Sequence, residues 1–370
     1  MSSSRAQARK LRALLASTGF LLFVGVMAVY SASSFVSITR FGNSYRYVLM
    51  HLVRVAFALG LAVVAFRLPY RFWKRMSLPI YLASLALMLL TVVPGSPLSV
   101  TLNGATRWLR LGPFMIMPSE LLRLGFVLLT ATLVSQRLVS PRSRGGVATI
   151  LLLALLPAAL MLFQPDFAGA VLLCLTMLVM LFLSEARLSH VMAIVLLLAS
   201  LAAVAVAGAD YRLERVFGWQ NSENGLSAEN FQPNQACIAL GSGGLRGRGL
   251  GRGRQQRGFL PEAFSDFILA VIGEEAGFLG TSLLIAVMLV LSLSIWGIAS
   301  DADDCFGSLV CGGVAASYTL GALLHAGVCT KLLPATGVPL PLVSWGGTNL
   351  IVTLLGLGIA ANVARSSGRW

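Results

Sequence analysis

Charged side chains are scarce in this chain: they make up 11% of its 370 residues, against about 25% in a soluble domain. Acids are scarcer than bases, with 14 Asp and Glu against 28 Lys and Arg. Cysteines are few. Cys174, Cys237, Cys305, Cys311 and Cys329 stand far apart, without the CxxC spacing of a metal site, and mostly in apolar stretches, which argues against a zinc centre or a disulfide framework. These shortages exclude a soluble enzyme and a disordered chain. They also exclude a nucleic-acid-binding domain, despite a pI of 10.5. What the chain has instead is 57% hydrophobic residues and a mean hydropathy of +0.82. It reads as an all-α polytopic membrane protein.

A membrane span needs roughly 20 mostly apolar residues. Ten such runs are expected, at about 14–32, 48–67, 77–94, 118–136, 146–163, 168–184, 189–208, 277–298, 306–328 and 347–365. The first is long for a signal-peptide core and lacks a convincing cleavage site, so it reads as a retained span behind a basic cytoplasmic tail, 1–13. The remainder forms one integral membrane domain, 1–370. With the N-terminus inside, short inner segments carry fourteen Lys or Arg and short outer segments five. That asymmetry places both termini in the cytoplasm. It also leaves one long extracytoplasmic segment, 209–276, before the eighth span.

Within that segment, 241–258 holds Arg246, Arg248, Arg252, Arg254 and Arg257 and no acid. Guanidinium groups and glycine-rich backbone suit a phosphate or pyrophosphate headgroup; a flexible loop drawn to anionic lipid has the same composition. Asp266 follows, where polar sequence meets a new apolar run. A lone carboxyl there can serve as a base with a raised pKa, or Ser265 or Asp266 can cap the coming helix. Glu120 and Arg123, three apart in an apolar span, share a helix face, as a functional site or as a structural ion pair. Pro118 suits the first turn of that helix. The stretch KLLPATGVPLPLVSWGGTNL has too much Pro and Gly for a regular helix and must line a cavity or the interface.

Six stretches occur together and in order: NGATRWLRLGPFMIMPSEL, QPDFAGA, YRLERV, NQACIALGSGGLRGRGLG, FLPEAFSDFILAVIGEE and LLPATGVPLPLVSWGG. In this the chain resembles the SEDS family, the polytopic peptidoglycan polymerases that include FtsW, RodA and SpoVE, over nearly its whole length. The resemblance implies a glycosyltransferase of the bacterial inner membrane that polymerises lipid II on the outer face. In that reaction an acceptor 4-hydroxyl attacks the donor's anomeric carbon with inversion. It also implies Asp266 as general base, and a substrate site drawn from Arg107, Trp108, Glu120, Arg123, Arg212, Arg215, Gln235, Arg246, Arg248, Lys331 and Ser344. There is no dedicated metal cage, although Mg or Mn can accompany the pyrophosphate. The implied partners are a class B penicillin-binding protein and other divisome or elongasome proteins, and no nucleic acid. Phe264 stands where the family's motif has His, Trp345 where it has Tyr, Arg123 where it has Lys, Met117 where it has Gln and His325 where it tends to Asn. VYSASS and IGEE lean toward the division branch. A precursor flippase and a catalytically weak division scaffold are the competing readings.

Overall fold

The computed structural model describes residues 2–93, 96–102, 104–112, 114–208 and 228–367. Three long helices open the chain: α1 (Ser2–Phe41), α2 (Arg46–Arg67) and α3 (Tyr70–Val92). A small antiparallel sheet follows, β1 (Ser99–Leu102), β2 (Ala105–Leu111) and β3 (Phe114–Ile116), in the order β1-β2-β3. Then come α4 (Pro118–Ser135), α5 (Arg144–Phe163), α6 (Phe167–Leu183), α7 (Leu188–Ala207), α8 (Ala228–Gly243), α9 (Ile268–Ser300), α10 (Cys305–Cys329) and α11 (Gly347–Ser367).

Eight of these helices have the length and apolarity to cross a membrane; α6 and α7 are shorter apolar helices. Helices cover all ten expected runs, but only eight of them reach span length among the described residues, and further differences lie at their edges. The tail does not hang free: α1 continues through it. Lys10 Nζ pairs with Asp301 Oδ2 at 2.7 Å and donates to the Gly297 carbonyl at 2.8 Å, pinning α1 to the far end of α9. The eighth apolar helix begins at Ile268 rather than 277, and α8 occupies part of the expected loop. The sheet is a departure from all-α. Its sequence signal was Asn103-Gly104 between β-branched and apolar residues, a hairpin pattern; Gly104 takes φ +75°.

The principal helix pairings are α2 with α11, α3 with α4, α1 with α9, and α9 with both α8 and α10. α4 and α11 are the most enclosed of the spans and α2 and α3 among the least. The polar residues that matter sit where the two enclosed helices begin.

Candidate functional site

Strand β2 aims Arg107 inward. Side chains alternate along a strand, and Ala105 and Leu109, two residues either side, are 7% and 0% exposed. Trp108 therefore takes the opposite face, half-buried. Arg107 Nε donates to the Gln164 carbonyl at 3.1 Å, Nη2 donates to the Pro165 carbonyl, and Nη1 lies 3.9 Å from Asp166 Oδ1. Asp166 in turn caps α6 by accepting from the Gly169 amide at 3.1 Å and receives Ser119 Oγ at 3.3 Å. The side-chain amide of Gln164 donates to the Met88 carbonyl at 3.1 Å and to Thr91. The short link QPDF between α5 and α6, part of one of the six family-like stretches, is thus the socket for Arg107.

Asp266 is placed from three sides. It precedes α9, whose N-cap is Phe267 with no side-chain cap bond, so neither Ser265 nor Asp266 caps the helix. Ser265 Oγ instead hydrogen-bonds Glu262. A Cβ built on Gly337 would lie 3.5 Å from Asp266 Oδ2; this glycine, at φ +74°, brings the Pro/Gly segment against the carboxyl. Burial pushes the Asp266 carboxyl up to about 6 and Glu262 pushes in the same direction, while Ser265 and Arg107 oppose them. Arg107 and Asp266 therefore share one electrostatic environment although 159 positions separate them in the sequence.

The segment before α11 clamps the backbone of this turn. Ser344 Oγ donates to the Ser265 carbonyl at 2.6 Å and accepts from the Leu340 amide at 2.9 Å; the Trp345 amide donates to the Phe264 carbonyl at 2.9 Å. Rings reinforce the clamp. Tyr47 lies 5.1 Å from Phe264 and 5.3 Å from Trp345 between centroids, and Phe264 and Trp345 are 6.0 Å apart. Such pairs contribute about 0.5–1.5 kcal/mol each beyond burial. Phe264 and Trp345, two of the sequence's departures from the family pattern, are thus in contact with each other.

Glu120 and Arg123 form a buried ion pair one turn into α4. Asn349 Nδ2 donates to Glu120 Oε2 at 3.1 Å, and the Met117 amide donates to Thr348 Oγ1 at 2.9 Å, so the first turn of α11 holds the first turn of α4. Arg123 and Asn349 line a small cavity with Tyr318, Ser317 and Thr353. Arg123 Nε and the Tyr318 hydroxyl are buried there without hydrogen-bond partners among the described residues.

The Arg/Gly stretch is a packed structure. Glu274 and Glu275, 1% and 3% exposed, are its anchors. Glu274 accepts from the amides of Arg254 at 2.8 Å and Gln255 at 3.1 Å; Glu275 Oε1 accepts from Ser31 Oγ at 2.5 Å, the Gly251 amide at 2.9 Å and Gln256 Nε2 at 2.8 Å. Backbone contact makes this possible. α9 breaks at Gly277, φ +66°, and a Cβ on Gly247 would overlap the Glu275 carbonyl oxygen. Arg248 Nε donates to the Ser242 carbonyl at 3.2 Å and its Nη1 lies 3.5 Å from Glu274, whereas Arg246 is exposed. Gln235 and Lys331 are half-buried; Lys331 follows Cys329, whose thiol lies within electrostatic reach of Asp266. Arg212 and Arg215 lie outside the described residues.

The structure therefore joins Asp266, Arg107 and Ser344 in one site, sets Glu120 and Arg123 beside the start of α11, and holds Arg248 within the loop. Sequence reasoning passed over Asp166, Gln164, Asn349 and Gly337. Glu274 and Glu275 carried a signal, being acids within an apolar run, but their partners were not readable.

The chain resembles known proteins along nearly its whole length. The cell cycle protein family FtsW/RodA/SpoVE matches residues 12–369. A probable peptidoglycan glycosyltransferase FtsW from Geobacter metallireducens is 35% identical over 342 residues, covering 92% of this chain and 90% of that protein. The one from Coxiella burnetii is 32% identical, covering 93% of each. Among solved structures, a chain of a peptidoglycan synthase complex that coordinates polymerization and crosslinking superposes with a TM-score of 0.74 at 26% identity, covering 95% of this chain and 98% of that one. Thermus thermophilus RodA superposes at 0.70 and 26% identity, covering 95% and 96%. This chain belongs to the FtsW/RodA/SpoVE family of membrane proteins.

Proposed function

We propose that the protein is a peptidoglycan glycosyltransferase that polymerises lipid II at the outer face of the bacterial inner membrane, in the division role that its relatives' names carry. The observation that supports this most directly is the Asp266 carboxyl. It is half-buried in the turn before α9, with a pKa of about 6, near the value at which a base is both ionised at neutral pH and strong enough to accept a proton. Asp266 takes the proton of the acceptor 4-hydroxyl as that oxygen bonds to the donor's anomeric carbon. The bond from that carbon to the pyrophosphate oxygen breaks, and undecaprenyl pyrophosphate leaves as the anion. Arg107, fixed by the Gln164 and Pro165 carbonyls, supplies positive charge beside the reacting groups. Trp108, Glu120, Arg123, Gln235, Arg246 and Lys331 complete the proposed substrate surface, with Ser344 acting through the Asp266 turn.

Among the described residues no group of three or more His, Cys, Asp or Glu is placed to hold a metal ion. Mg or Mn would therefore arrive with the pyrophosphate, and no step here runs through it. A class B penicillin-binding protein is the proposed partner, in line with the complex that the fold resembles; co-purification with each class B protein of the host tests this, and failure with all of them removes it.

The deciding experiment is polymerisation of purified lipid II. Wild type should give glycan strands, and Asp266→Asn should lose at least about 10²-fold in rate while remaining folded in detergent. Activity above about a tenth of wild type in that variant would remove Asp266 as the base. A folded wild type that makes no strands would remove the polymerase reading.

A further inference from the structure

Two arginines lie well inside membrane-spanning helices, and their surroundings differ. Arg123 is paired with Glu120. Arg54, in α2, has neither a carboxylate nor a hydrogen-bond partner among the described residues. Its guanidinium carbon stands 4.1 Å from the centroid of the Trp345 ring. A Cβ built on Gly347 would meet Arg54 Nε at 3.5 Å and Cζ at 3.7 Å. The charge therefore lies against the first turn of α11, where backbone N–H groups have no acceptor within the helix.

That arrangement is electrostatically incomplete. The opening turn of a helix of 21 residues carries partial positive charge and favours anions, yet it faces a guanidinium. An anion bridging the free edge of the guanidinium and those N–H groups would satisfy both. His51, one turn before Arg54 on the same face of α2, adds an independent sign of a missing group: it is 1% exposed, and neither ring nitrogen has a hydrogen-bond partner. Its ring lies against the same Trp345, centroids 5.8 Å apart. Arg54, Trp345, Gly346 and Gly347 are all only part-buried, so the place where they converge is open.

We infer that Arg54, His51 and the N–H groups that open α11 form a binding site for the pyrophosphate of a polyprenyl-linked substrate. Stacking on Trp345 leaves the edge of the guanidinium free for two-pronged contact with phosphate oxygens. The same Trp345 donates its amide to Phe264, two residues from Asp266, so the site for the anion and the turn carrying the base are parts of one structure. This inference rests on the glycosyltransferase reading and deepens it by naming where the lipid-linked anion is held.

The test reads binding apart from turnover, with farnesyl pyrophosphate as probe and calorimetry on full-length protein in detergent, in wild type and in Asp266→Asn. Arg54→Gln should weaken farnesyl pyrophosphate at least tenfold in both backgrounds and leave farnesol binding unchanged. An unchanged Kd in folded Arg54→Gln overturns the site. Equal displacement of the probe by dihexanoyl phosphatidylglycerol overturns it as well, since the groups then serve bulk lipid phosphate. If Arg54→Gln does not fold, Arg54→Lys decides: it keeps the charge and loses the fork, so a threefold or greater rise in Kd supports the site and no change overturns it. Arg54-dependent binding in a protein that makes no glycan from lipid II leaves this site standing and removes the polymerase reading. Polymerisation with unaltered binding in Arg54→Gln does the reverse.

Discussion

At the scale of single residues, the proposed chemistry turns on how Asp266 is kept basic. Its carboxyl is raised from an ordinary 3.8 to about 6, by burial first and Glu262 second, so the charged form is disfavoured in the folded protein. Two consequences follow from that sign. The rate should climb as pH rises through about 6 and level above it, because only the ionised carboxylate accepts a proton. Glu262→Gln removes the second cause, so its acid limb should move to lower pH in a pH–rate profile; movement upward would contradict the assignment. For stability, a raised carboxyl pKa is a penalty that is fully present above the folded value and absent below the unfolded one. Asp266→Asn should therefore raise the melting temperature at pH 8, with the gain fading between about pH 6 and pH 4. The Glu120–Arg123 pair behaves differently: it is buried and partnered by Asn349, and removal of one member of such a pair costs about 3–5 kcal/mol by stranding the other.

At the scale of elements, the segments that look least regular in sequence position the site. The Pro/Gly segment ahead of α11 grips the Asp266 turn through Ser344 and Trp345. Ser344→Ala should release the Ser265 carbonyl and let the carboxylate drift. Since small misplacements of a catalytic group cost up to about 10²-fold, kcat for polymerisation should fall by roughly 10-fold with the Michaelis constant for lipid II little changed; a change confined to the Michaelis constant would show direct substrate contact instead. The Arg/Gly stretch is built on the break in α9. Gly247→Ala should prevent folded protein from accumulating, because its Cβ would overlap the Glu275 carbonyl oxygen at a position with φ +76°. The two arginines beside it should separate in assay. Arg248→Gln loses contacts to Ser242 and Glu274 and should cost about 1–3 kcal/mol of stability. Exposed Arg246→Gln should leave the melting temperature unchanged and raise the Michaelis constant for lipid II.

At the scale of the whole molecule, the proposed orientation joins charge distribution to chemistry. Lys and Arg concentrate in the segments 67–75 and 137–144 and in the N-terminal residues, which the positive-inside tendency retains in the cytoplasm. The other ends of α3, α4 and α5 carry the Arg107 socket, and the Asp266 turn and the Pro/Gly clamp precede α9 and α11. Alkaline phosphatase fused after residue 110 should therefore be active in cells and a fusion after residue 142 inactive; the opposite pattern would turn the proposed site toward the cytoplasm, away from its substrate. The exposed apolar side chains of α2, α3 and α7, such as Val53, Leu82 and Leu196, give the molecule a lipid-facing surface around the more enclosed α4 and α11.

The sequence by itself determined the membrane class and the apolar runs, and it singled out Asp266 as a candidate. Those features are local: a span must be long and apolar whatever its neighbours, and a motif is read in one stretch. The positive charges of Arg54, Arg107 and Arg123 were equally plain as residues. Only the tertiary structure decided what Arg54 and Arg107 lie against, because Trp345, Gln164 and Asp166 are far along the chain. Glu120 meets Asn349 across 229 positions, and Ser31 meets Glu275 across 244. Hydrophobic patterning drives helices into the bilayer but does not rank which of them pack together, since lipid is as apolar as leucine. Helix pairing is settled by close backbone approach, as where α9 breaks at Gly277, and by buried polar groups that need partners. The same contacts turned a stretch that reads as either a phosphate site or a flexible basic loop into a packed support around Glu274 and Glu275, and left Arg54 facing the start of α11 without a counter-charge among the described residues.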